Sequence, residues 1–159
     1  MIGVSILTVS DSSAKGTRED LSGPAVAERC AQLGWTVRHR AVSADERESI
    51  EGYLVEWAGE SETQLILTTG GTGISPRDVT PEATYAVVER EIPGLAELMR
   101  HEGGKKTKFA PLSRGIAGSR GTTLIVNLPG SPKGAVESLN AVAELVPHAV
   151  DLLAGRTDH

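Results

Sequence analysis

The chain has 159 residues, 39% hydrophobic and 23% charged, a balance that fits a single domain over residues 1–159 and excludes a disordered chain. Its net charge of −5 argues against a general nucleic-acid binder, and no apolar run approaches the roughly 20 residues that span a bilayer. Cys30 is the only cysteine, so no intrachain disulfide can form, and a reducing compartment, the cytoplasm, is expected.

Apolar runs alternate with helical patterns along the chain. Residues 2–10, IGVSILTVS, predict a first strand; no basic segment precedes it, so it does not read as a secretory leader. Residues 23–34 predict a helix with Pro24 in its first turn and Gly34 as its stop. A second strand is expected over 36–42. Ser43 and Glu46 then have capping-box spacing for a helix reaching about Ala58. The run 63–69, TQLILTT, is apolar enough for a strand buried on both faces. Thr80 is expected to cap a helix that carries Pro81 at its first position and runs towards Arg90. A short helix follows from Pro93 to about Glu102, where Gly103 and Gly104 should end it and loosen the next loop. Residues 122–128 predict a fourth strand, Ser131-Pro132 opens another helix, and Pro147 separates off a last one that stops near Gly155. This alternation specifies an α/β domain: a mainly parallel sheet with helices on both faces.

In such a sheet, loops leaving the carboxyl ends of the strands gather on one edge, where ligands bind. Asp11, Asp45 and Asp78 each follow a different predicted strand and fall on that edge. Three carboxylates beside glycine-rich loops suit a Mg²⁺-nucleotide site, although each could also cap a turn. The loops GGTG (70–73) and PGSPKG (129–134) can bring backbone N–H groups to a phosphate, and each leads to a helix N-terminus. Neither matches a standard nucleotide-binding fingerprint. Lys133, Arg77 and Arg114 lie near by in sequence and favour an anion site, although a salt-bridged surface arginine accounts for Arg77 equally well. His39, His101, His148 and His159 fall outside these loops.

The segments TTGGTGISPRDVTPEAT (68–84) and LSRGIAG…LIVNLPGSPKGAVESL (112–139) carry a resemblance to the molybdopterin adenylyltransferase family of molybdenum cofactor biosynthesis. The opening GVSILTVSDS and the segment AVSADERESI extend it over nearly the whole chain. The family includes a bacterial enzyme and the G domains of plant and animal homologues such as gephyrin. The resemblance implies a three-layer α/β sandwich, a homotrimer, and conversion of molybdopterin and Mg-ATP to adenylyl-molybdopterin and pyrophosphate. It also implies a molybdenum-inserting partner enzyme. By position it implies Asp45 and Asp78 as the catalytic and Mg²⁺-holding acids. Asp11, Gly70, Gly71, Thr72, Gly73, Ser113, Asn127, Pro129, Gly130, Ser131 and Lys133 match the binding loops. Lys108 stands where the family often has proline, and Gly103-Gly104 where it has Ser-Leu.

The residues suit that chemistry on their own terms. A phosphate monoester is already a nucleophile, so no general base is required, and no Cys-His or Ser-His pair appears in the loops. Two other readings remain open at this level: a molybdopterin-binding or scaffold module without turnover, and a MoaB-type or competence-damage-inducible-type relative acting on another nucleotide.

Overall fold

A computed structural model describes residues 1–158. Six strands form one sheet in the order β2-β1-β3-β6-β5-β4. The strands are β1 (Gly3–Val9), β2 (Thr36–Ser43), β3 (Leu65–Thr69), β4 (Arg90–Glu91), β5 (Ala117–Arg120) and β6 (Thr123–Leu128). Strands β2, β1, β3 and β6 are mutually parallel, whereas β5 and β4 continue the sheet antiparallel. The helices are α1 (Asp11–Ala14), α2 (Ser22–Gln32), α3 (Arg47–Ala58), α4 (Thr80–Val87), α5 (Pro93–Gly104), α6 (Pro132–Val142) and α7 (Val146–Leu153).

Strand periodicity explains the layering. In β1, Val4 and Ile6 face one side and Leu7 and Val9 the other; in β6, Leu124 and Val126 oppose Ile125. The first face packs against α2, α5, α6 and α7 through Val26, Met99, Leu139 and Val150. The second packs against α3 and α4 through Ile50, Leu54, Trp57 and Ala83. The expected three-layer α/β sandwich is therefore present. Each fully buried Leu or Ile contributes about 1.5–3 kcal/mol, against about 0–1 for an exposed ion pair. The core holds the fold; the surface charges have another use.

Register fixes where the loops emerge. Val9 lies opposite Ser43, Thr8 opposite Thr69, and Thr69 opposite Leu128. The carboxyl ends of four neighbouring strands therefore stop at one level, and the segments that follow share one edge.

Several boundaries differ from the expectation. Ser43 does not cap α3, because it pairs with Val9 as the last residue of β2; its hydroxyl bonds Ala44 O and Ser49 Oγ, and Glu46 takes the cap position without a side-chain bond. Thr80 is the first residue of α4 rather than its cap, and its hydroxyl donates to Gly70 O instead. Gly103 and Gly104 lie inside the last turn of α5, and the next segment is tied back by Thr107 N–H to Gly103 O, 2.9 Å. Pattern reading missed β4 and β5, whose sequences RE and AGSR carry no apolar run. Ser131 does cap α6, accepting Gly134 N–H at 3.1 Å.

Candidate active site

The loop 70–79 begins with two glycines that nothing else could replace. Gly70 has φ 101°, and a Cβ there would lie 2.2 Å from Val9 O; Gly71 has φ 68°, and a Cβ would lie 2.3 Å from Thr80 Oγ1. The loop is then pinned from several sides. Gly70 N–H donates to Leu128 O, Thr80 N–H to Gly71 O, and Arg114 N–H to Thr72 O. The Arg114 guanidinium donates to Gly73 O (2.7 Å) and Asp78 O (2.9 Å), and also holds the Glu82 carboxylate through both terminal nitrogens. Arg114 thus sets the height at which Asp78 stands. Its cation keeps the Glu82 carboxyl below the usual carboxylate range.

Asp11 and Asp45 bridge the loops after β1 and β2. Asp11 N–H donates to Asp45 Oδ2 and Asp45 N–H to Asp11 Oδ1, each at 2.9 Å. Arg77 adds Nε and Nη2 bonds to the Asp11 carboxylate at 3.0 and 2.9 Å, and reaches Glu46 at 3.5 Å. The Arg77 contact, first of all, holds the Asp11 carboxyl below its ordinary value. Asp45 moves the other way: burial raises it, and the Asp11 and Asp78 carboxylates add repulsion, against a backbone hydrogen bond that lowers it.

Two cavities open on this edge. A polar one of about 410 Å³ is lined by Ser10, Asp45, Gly70, Gly71, Asp78 and Gly130, together with Arg18 and Asp20. Ser22 and Pro132, the first residues of α2 and α6, also line it, so two helix N-termini border the space. The neighbouring cavity, about 210 Å³, is largely apolar and lined by Ala96, Met99, Phe109, Ser113, Asn127 and Pro129. Ser131 borders both.

The expected site residues divide accordingly. Asp45, Asp78, Gly70, Gly71, Gly130 and Ser131 meet in the polar cavity, and Ser113, Asn127 and Pro129 in the apolar one. Thr72 and Gly73 line neither, their carbonyls being taken by Arg114. Asp11 stands behind Asp45, with both carboxylate oxygens occupied. Asn127 is 2% exposed; its Nδ2 donates to Thr68 and Thr84 hydroxyls, and its Oδ1 accepts Ile116 N–H. Its amide braces β6 to β3 and α4. Asp78 also caps its own turn through Ser75 N–H at 3.0 Å, so capping and cavity lining coexist in one residue.

Among the cations, Arg114 differs from the sequence-based expectation, whereas Arg77 is salt-bridged. Arg77 and Arg114 are committed to protein acceptors. Among the described residues, Arg18 in the cavity wall and exposed Lys133 beside Pro132 have no ion pair. Arg18 was not legible as a site residue, since nothing distinguishes it from an ordinary loop arginine. His39 pairs with Glu60 and lines neither cavity, and His159 lies outside the described residues.

Comparison with known proteins identifies the family. The family model described as "Probable molybdopterin binding domain" matches residues 5–148. The molybdopterin adenylyltransferase of Helicobacter pylori is 44% identical over 156 residues, covering 97% of this chain and 89% of that one. The crystal structure of the molybdopterin biosynthesis enzyme MoaB from Thermus thermophilus superposes with a TM-score of 0.92 at 52% identity, covering 98% of each chain. The molybdopterin biosynthesis Mog protein from Mycobacterium ulcerans gives a TM-score of 0.88 at 42% identity, covering 97% of each chain. Fold and sequence agree, and the chain belongs to the molybdopterin-binding MoaB/MogA family.

Proposed function

We propose that the protein is a molybdopterin adenylyltransferase of molybdenum cofactor biosynthesis, with ATP as the second substrate. The observation that carries this reading is the pair of cavities that meet at Ser131. The polar one, with glycine backbone and two helix N-termini, suits a nucleotide triphosphate; the apolar one suits a flat pterin. Their junction is where a pterin phosphate would meet the α-phosphorus of ATP.

In the reaction a phosphate oxygen of molybdopterin attacks the α-phosphorus, a phosphoanhydride bond forms, and the bond to the β-phosphate bridging oxygen breaks. Pyrophosphate leaves with that electron pair. No proton need be removed from the nucleophile. The barrier is electrostatic: two unit charges 5 Å apart at an effective dielectric near 20 repel by about 3 kcal/mol, and several such pairs act here. Gly70 and Gly71 give backbone approach, Arg18 lines the polar cavity, and Lys133 sits in the first turn of α6 beside Pro132, so both are placed to meet phosphate charge.

Asp45 and Asp78 fit a Mg²⁺ ion. Among the described residues no group of three or more Asp, Glu, His or Cys forms a complete cage, and Mg²⁺ is commonly held by one or two carboxylates with phosphate oxygens and waters. The Asp45 and Asp78 carboxylates both line the polar cavity, and Asp78 adds repulsion to the half-buried Asp45 carboxylate that a bound cation would relieve. When bound there, the ion would supply neutralising charge to the phosphates. Asp11 orients Asp45, and Arg114 orients Asp78.

The cytoplasm is the setting we propose. No helix of the described residues is long and apolar enough to cross a membrane, and Cys30 is a free thiol, which suits a reducing compartment. We also propose a homotrimer that hands its product to a molybdenum-inserting enzyme. Exposed Ile74, Tyr85 and Leu112 offer apolar surface for self-association. The function is tested by incubating the purified protein with molybdopterin and Mg-ATP and measuring pyrophosphate and adenylyl-molybdopterin; absence of both would overturn it.

A further inference from the structure

The chain has two Trp, two Tyr and one Phe. Trp35 and Trp57 are buried, and Tyr53 packs on Trp57 with ring centroids 5.3 Å apart. Tyr85 and Phe109 are the exposed aromatics among the described residues, and of the two only Phe109 lines the apolar cavity. It is 63% exposed and forms part of the wall of the apolar cavity, beside Thr107 and Ala110. Its backbone is held: its N–H donates to Thr107 Oγ1 at 3.2 Å, and its carbonyl accepts Leu112 N–H at 3.0 Å. Lys108 Nζ lies 5.3 Å from the ring centroid, a cation–π contact.

We propose that Phe109 stacks on the flat bicyclic ring of the pterin substrate and so directs its phosphate towards Ser131 and the polar cavity. This rests on the reading above that the apolar cavity takes the pterin. The other apolar walls, Ala96, Met99 and Pro129, offer contact area but no extended flat face to orient a heteroaromatic ring. A phenyl face supplies both area and angle. Much of the ring faces solvent in the free protein, so covering it with a ligand removes apolar surface from water. Lys108, 5.3 Å from the ring centroid, places a cation beside an anionic substrate. No pattern in the sequence marks this residue, because its role depends on a cavity formed by α5, β6 and α6.

The test compares Phe109→Ala, Phe109→Leu and Phe109→Tyr with the unchanged protein. Molybdopterin is titrated by its own fluorescence without ATP, and pyrophosphate release is followed separately. Removing a stacking aromatic should weaken pterin binding about tenfold or more. Ala and Leu are expected to weaken it to that extent, Tyr to restore it, and KM for ATP to stay unchanged in all three. Melting temperatures should stay level, since the ring is exposed. Leu binding as tightly as Phe, Tyr failing as Ala does, or no pterin binding by the unchanged protein would each overturn the proposal. If binding depends on an aromatic at 109 but no pyrophosphate is released, the adenylyltransferase reading fails and the stacking stands.

Discussion

Asp11 and Asp45 donate their main-chain N–H groups to each other's carboxylates, each at 2.9 Å. Two acids from different loops are thus locked face to face, and Arg77 neutralises the outer one. The arrangement leaves Asp45 to face the cavity while Asp11 positions it. Asp11→Ala would leave the Asp45 N–H without its acceptor and Arg77 with only the 3.5 Å contact to Glu46. The expected loss is about 1–2 kcal/mol, or a few degrees in Tm, with turnover reduced more than ATP binding. Arg77→Ala should act through the same brace, so the double variant should be less than additive in thermal melting and in kcat. Full additivity would show that the two residues act separately.

The clamp between Arg114 and Glu82 gives a pH dependence with a definite sign. The Glu82 carboxyl is held low by the Arg114 guanidinium, so the folded state binds its proton less readily than the unfolded chain does. The stabilisation is present above the ordinary carboxylate value and is lost as pH falls through the lowered folded value. Both side chains are more than a third exposed, so the effect on Tm should be small. Turnover should be more sensitive, because Arg114 also holds Asp78 O. Melting and kcat followed from neutral pH down through the carboxylate range should show a loss that Glu82→Gln reduces. An identical acid limb in that variant would remove Glu82 from the account.

Asn127 is expected to matter for stability before anything else. Asn127→Leu would strand the Ile116 N–H and take away the partner of the Thr68 and Thr84 hydroxyls in a dry site. The expected cost is about 2–4 kcal/mol, which for a domain of this size lowers Tm by several degrees. Calorimetry decides it. A level Tm together with lost pterin binding would instead make Asn127 a direct substrate contact.

Self-association is checked by light scattering. A mass near that of a trimer at micromolar concentration is expected; a monomer contradicts it.

The layered fold and the common edge were legible because β1, β3 and β6 are apolar on both faces and glycine loops follow the last two. Asp45 and Asp78 were legible because acids after parallel strands must emerge on one side. The antiparallel strands β4 and β5 were not, since Gly118 and Ser119 carry no apolar period and are ordered by pairing with β6 and β4. Nor was the work of Arg114, whereas Arg77 takes one of its two expected roles, that of a salt-bridged surface arginine. A sequence shows a cation near a phosphate loop, but whether it faces substrate or a carbonyl depends on folded geometry. Arg114 turned inward. Ser43 and Thr80 failed as caps for a related reason: each hydroxyl found another partner once the strand ends and the glycine turn were fixed.

The most direct test of the central claim is pyrophosphate release from molybdopterin and Mg-ATP by the unchanged protein, Asp78→Asn and Asp45→Asn, with pterin binding measured in parallel. The unchanged protein should release one pyrophosphate for each adenylyl-molybdopterin formed. Each variant removes a cavity charge but keeps size, and should slow turnover by about a hundredfold or more, roughly 3 kcal/mol, while pterin binding survives. Removing both should cost less than the two losses together if they serve one metal. Normal turnover by Asp78→Asn, or unfolding of that variant, would show that Asp78 is a turn cap for Ser75 and that the chemistry lies elsewhere.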